Sequence, residues 1–158
     1  MAITTAMCNS AKVEFMRGIH NLSNGGNTIR AALIRDGHTG TYGAGTTSYT
    51  TVTGNLDEAA VGGGGTGYTA GGLALANVTP ALSGSTAVAD FTDATWTLSG
   101  ATATLAADGV MIYNDTALGD PAISVHVFTG DPSASGDGAT FTITWPVADA
   151  STGILRLA

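Results

Sequence analysis

Three histidines (His20, His38 and His126), one cysteine (Cys8) and twelve carboxylates are the groups of this chain best suited to acid–base, metal or thiol chemistry. The histidines are dispersed, with no second His or Cys at ligand spacing, so their pattern predicts structural or solvent-facing rings and no zinc site. Asp115, Asp120, Asp131 and Asp137 fall in predicted loops, where aspartates cap their own backbone. None follows the helix-loop-helix calcium register, and a surface calcium at a subunit contact is left open. Residues 62–69 match the spacing of a phosphate loop, but Tyr68 stands where the lysine belongs, so a nucleotide is not expected there. No Gly-x-Ser-x-Gly elbow occurs, and Glu14 and Glu58 are the only glutamates, so neither a hydrolase triad nor a glutamate-based glycosidase pair is indicated. The expectation is a protein that is not an enzyme and takes no cofactor.

The elements that would position these groups read as β-structure. Residues 94–98 alternate Ala, Thr, Trp, Thr, Leu, which puts Ala94, Trp96 and Leu98 on one face. Residues 101–105 repeat the alternation, and after Asp108-Gly109 comes the apolar run 110–113, so three consecutive strands in a meander are expected. Further strands are expected at 28–35, 73–78, 86–91, 123–128 and 139–145, with a hydroxyl-rich candidate at 46–53 and a short apolar tail at 153–157. Turns are expected at 80–85 and 131–138. Trp96 and Trp145, each among apolar same-face neighbours, are read as anchors of a core or subunit interface. One helix is predicted over residues 11–20, capped by Asn9 or Ser10, with Val13, Met16, Ile19 and His20 on its apolar face. It is placed on a sheet edge or a neighbouring subunit. About eight strands at this spacing suggest a mainly β, single-domain antiparallel β-sandwich or jelly roll with one N-terminal α-helix. The arm and helix would occupy residues 1–27 and the sandwich residues 28–158.

The 158 residues suit one compact domain. A net charge of -7 disfavours nucleic acid as a partner, since displacing phosphate counterions needs Lys and Arg. The charge is uneven: four cations against Glu14 in the first 35 residues give 4 − 1 = +3, and Arg156 against eleven acids gives 1 − 11 = -10 thereafter. Ordinary solvation accounts for the basic end, though it also suits an acidic partner. A lone cysteine forbids an intrachain disulfide. The opening residues lack a secretory or lipidation pattern and no stretch reaches membrane-spanning length, so a chain made in a cytosol and kept there or released by lysis is expected, with no membrane partner. On that expectation, the glycosylation sequons at Asn21, Asn77 and Asn114 carry no meaning.

Several motifs occur in order: 2–6 leading into Lys12-Val13-Glu14-Phe15 and Gly18-Ile19-His20-Asn21, then 65–72, Asp93-Ala94-Thr95-Trp96, 109–114, and 141–156. Together they resemble small β-rich virion structural proteins of tailed bacteriophages. That resemblance implies a non-catalytic particle component, most simply a capsid decoration or cement protein on the shell exterior. Its partners would be the major capsid protein and copies of itself, a trimer suiting local three-fold positions. A neck, tail or fibre component, or a receptor- or carbohydrate-binding module, are the alternatives. The contact is expected on the N-terminal segment and helix and on the glycine-rich loop 62–72, through Ile3, Lys12, Arg17, Gly65 and Tyr68, with Arg156. The loop is chosen because it reads as slack chain that a partner would order.

Overall fold

The computed structural model describes residues 2–158. It is mainly β, with antiparallel sheets and a helix near the N-terminus, arranged as a β-sandwich. The elements are β1 (Ala6–Met7), α1 (Asn9–Met16), β2 (Ile29–Arg35), α2 (Thr50–Gly54), β3 (Leu73–Ala74), β4 (Asn77–Ser83) and β5 (Thr86–Phe91). They continue with β6 (Ala94–Thr97), β7 (Thr104–Asn114), β8 (Ala122–Val127), β9 (Ser133–Ser135), β10 (Thr140–Ile143) and β11 (Leu155–Leu157). The main sheet runs β1-β8-β7-β2-β3, with β9 paired to the start of β7; smaller sheets are β10-β6 and β11-β5-β4.

The main sheet is buried on both faces. Ile29, Ala31 and Leu33 of β2 and Val110 and Ile112 of β7 face the smaller sheets, where they meet Phe91, Trp96, Phe141 and Trp145. Ala32, Ile34, Met111 and Tyr113 face the other way, under Cys8, Ala11 of α1, Val52 of α2, and Tyr42. Burial on both sides explains the near-continuous apolar runs at 31–34 and 110–113. On β6 and β10 the alternation is one-sided. Thr95, Thr97, Thr140 and Thr142 stand exposed in facing pairs, with Thr95 Oγ1 and Thr142 Oγ1 3.0 Å apart.

The expected meander is corrected. Residues 101–103 belong to a turn, and 104–114 form one strand through Asp108-Gly109. That dipeptide marks a bulge: Ile34 pairs Gly109 and Arg35 pairs Ala107, leaving Asp108 as the extra residue. Gly109 is required because a side chain there would meet the His126 carbonyl at 2.6 Å and the Ile3 side chain at 2.9 Å. β6 therefore pairs with β10, 40-odd residues away, rather than with its sequence neighbour. Residues 80–85 are not simply a turn either. β4 runs through Pro80, which sits at an irregularity of an edge strand where a missing N–H costs no sheet bond. Within 131–138 the short strand β9 forms, and residues 46–53 supply the helix α2 in place of a strand.

The N-terminal helix is shorter than expected and turned round. Cys8, in extended conformation, is its N-cap, and Gly18 at φ +70 ends it, with Ile19 N–H bonding the Glu14 carbonyl at 3.0 Å in a Schellman-type cap. Ala11 is buried and Phe15 packs inward, whereas Val13 and Met16 are 56% and 91% exposed. Small Ala11 lets the helix lie close on the sheet, and the larger apolar residues are left facing out. The preceding arm is woven into the body: β1 pairs with β8, and Ile3 bridges Tyr42.

Candidate interaction surface

The groups suited to chemistry are held apart and mostly engaged in structure. His20 Nε2 lies 2.9 Å from Glu14 Oε2 while its Nδ1 is 3.1 Å from Asn114 Nδ2, so with the Asn114 amide donating to Nδ1 the ring's proton sits on Nε2. His38 Nδ1 is 2.8 Å from Asp108 Oδ2, and its buried Nε2 has no hydrogen-bond partner. His126 Nε2 meets Ser124 Oγ at 2.9 Å, and burial pushes its pKa down to about 4. Burial first, then the Glu14 charge, push the Cys8 thiol up to about 11, which keeps it protonated and unreactive. Among the described residues no group of three or more His, Cys, Asp or Glu side chains gathers as a metal site. The loop aspartates serve turns and neighbours: Asp137 accepts from Gly100 N–H at 2.8 Å, and Asp115 faces Arg30 at 3.7 Å.

The adjacent carboxylates Asp57 and Glu58 organise the long segment 37–72, a role sequence reasoning missed. Asp57 is wholly buried and accepts hydrogen bonds from Thr39 N–H (2.8 Å), Gly40 N–H (2.6 Å), Tyr42 Oη (2.7 Å) and Arg35 Nη2 (3.2 Å). Burial alone would raise its pKa; the donors from Tyr42, Thr39 and Gly40 outweigh it and hold the carboxyl well below the usual range. Glu58 accepts from Tyr49 Oη (2.5 Å), Tyr68 Oη (2.8 Å) and Gly71 N–H (2.7 Å). Around these two residues the chain runs alongside β2: Arg35 N–H bonds the Asp57 carbonyl, and Ala59 N–H bonds the Leu33 carbonyl, both at 2.9 Å. The segment is an edge cover for the main sheet. An acidic doublet inside a loop of glycines and threonines was the available signal.

The glycine run is correspondingly tight, which corrects the reading of it as slack chain. A Cβ on Gly65 would lie 2.2 Å from the Ala103 Cβ, and Gly62 and Thr66 form bridges to Thr104 and Ser99. Glycine is present because backbone approaches backbone.

The six expected contact residues fall on different elements. Lys12 and Arg17 are exposed on α1, Lys12 Nζ reaching Asn9 Oδ1 at 3.1 Å. Ile3 is half-buried against the second core cluster. Gly65 and Tyr68 belong to the edge cover, Tyr68 packing beside Trp96 with its hydroxyl turned inward. Arg156, on β11, donates to the carbonyls of Ala150 and Ser151.

Surplus apolar surface collects elsewhere. β4 is an edge strand whose central residues are all exposed, Leu82 at 74%, with Val78, Pro80 and Ala81 beside it. Next to it a cleft of about 270 Å³ is lined by Phe15, Leu22, Pro80, Val88, Leu155 and Leu157, among others. Every tryptophan, tyrosine and phenylalanine is at least partly buried. No helix is long and apolar enough to cross a membrane. No protein-family model, curated protein or solved structure matches this chain.

Proposed function

We propose that this chain is a virion structural protein of a tailed phage, a decoration or cement subunit on the head shell. It would be made in the host cytoplasm and work as copies of itself, as a homotrimer, on the major capsid protein. The observation that carries the reading is the exposed apolar surface of β4, Val78 and Leu82 beside the Pro80–Val88–Leu155–Leu157 cleft, which a free subunit leaves to water. A subunit that binds only the assembled shell stabilises it by mass action, which needs a rigid, adhesive body and no reaction centre. The hydrogen bonds of Tyr42 to Asp57 and of Tyr68 to Glu58, which hold the long loop segment on the sheet edge, support that reading. The sequence resemblance supports a structural component of such a particle.

The test is binding of the purified chain to shells stripped of it, with bound copies counted against the major capsid subunit. A fixed high ratio, with shells then resisting heat or chaotrope, is the expected result. A few copies at one vertex would transfer the protein to the neck or tail, and absence of binding would remove it from the particle's head. Leu82→Ser should weaken shell binding while leaving the thermal midpoint of the free chain in place.

A further inference from the structure

Two exposed patches of opposite charge lie side by side on this chain. The outer face of α1 presents Val13 and Met16 between Lys12 and Arg17, and among the described residues neither cation forms an ion pair. The turn after β7 presents Leu118, fully exposed, between Asp115 and Asp120. Gly119 at φ +86 and Asp120 at φ +48 fold that turn tightly and leave Leu118 at its tip. The two patches are neighbours, because Asn114, the last residue of β7, donates to the Ile19 carbonyl at 3.3 Å and lies 3.1 Å from His20 Nδ1, just beyond α1. Among the described residues no ion pair joins the two patches within one copy: the Asp115 carboxylate pairs with Arg30, at 3.7 Å, and its side chain is 40% exposed.

We infer that α1 of one copy docks on the 115–120 turn of a second copy, with Met16 against Leu118 and Arg17 and Lys12 against Asp115 and Asp120. Each patch has an apolar centre and a charged rim, and the rims are complementary, which fixes register and favours encounter. A net charge of -7 makes copies repel at long range, so a contact between them is favoured at a local basic patch, and α1 with its C-cap carries Lys12 and Arg17, which form no ion pair among the described residues. Since every copy carries both patches, the contact can repeat from copy to copy, and the rotation between copies decides whether it closes as a pair or ring or runs on as an open chain. The inference concerns the free chain in solution and stands independently of the shell.

Sedimentation of the full chain over a range of concentration and salt tests it. The expected result is association that weakens as salt is raised to about 0.5 M, where charges are screened within a few ångströms. Met16→Ser and Leu118→Ser should each weaken it about tenfold or more. Because both residues lie in solvent, the thermal midpoint at a dilution where the chain is monomeric should not move. Arg17→Glu and Asp115→Arg should each abolish association, and the two together in one chain should restore it. Lys12→Glu repeats the reversal at a second exposed site in case either variant folds poorly. A chain that stays monomeric throughout, an association indifferent to these changes, or a double variant no better than its singles would overturn the inference.

Discussion

Tyr68 donates its hydroxyl proton to Glu58 Oε1 at 2.8 Å and accepts the Leu33 N–H at 3.0 Å, so one side chain joins the loop carboxylate to the backbone of the central strand. Beyond the short β3 pairing no strand borders this edge of β2 among the described residues, and the hydroxyl satisfies a donor that would otherwise be buried and unmet. Burial and then the Glu58 charge raise the phenol's pKa above its ordinary value, so it stays protonated. Tyr68→Phe should therefore cost about 1–3 kcal/mol of unfolding free energy, read by urea denaturation. An unchanged midpoint would show that the edge cover does not depend on this bond.

Asp57 should be the least replaceable carboxylate. Removing it strands the Thr39 and Gly40 N–H groups and the Tyr42 hydroxyl, and leaves Arg35 without its carboxylate. Asp57→Ala should cost about 3–5 kcal/mol. Its pKa is depressed on folding, so its stabilisation is complete above the unfolded aspartate value of 3.8 and is lost as pH falls below that range. Asp57→Asn should be less stable at neutral pH and should flatten the acid limb of stability against pH.

His126 should produce a separate pH dependence at milder acidity. Its pKa falls from 6.5 to about 4 because burial disfavours the imidazolium. Between those values the unfolded chain binds the extra proton and the folded chain does not, so stability falls with pH across that window and is constant above it. The loss reaches about 3 kcal/mol at most. In His126→Leu the slope between pH 6.5 and 4 should shrink, measured by thermal midpoints in a buffer series.

Gly63 and Gly64 form a matched pair. Both have left-handed backbone, φ +67 and +74, but a Cβ on Gly63 would lie 1.7 Å from the Thr102 carbonyl oxygen, whereas one on Gly64 meets nothing within 4 Å. Gly64→Ala should cost about 1–2 kcal/mol, the left-handed penalty alone. Gly63→Ala should cost clearly more and should release the amide protection at Gly62 and Thr104, whose backbones bridge there. Equal costs would mean the segment shifts freely and is not fixed by close approach.

Much of the sandwich was legible because strands announce themselves by period. The alternation at 94–98 and 139–145 gave β6 and β10 and marked Trp96 and Trp145 as anchors of a core or interface, of which the core is where both are found, and the apolar run at 110–113 marked a strand of the buried sheet. Composition likewise decided that no intrachain disulfide forms. What only the tertiary structure decided is which strands pair, since a glycine or an Asp-Gly pair signals an unusual backbone position without saying whether the chain turns back or bulges and continues. Asp108-Gly109 bulges, because β2 and β8 hold β7 on both sides. The same holds for α1: its apolar residues fit the helical period, but the closeness of sheet and helix selected the small Ala11 for the interior and left Val13 and Met16 outside. The Asp57 and Glu58 clusters depend on donors up to 22 residues away, a convergence that no local pattern encodes.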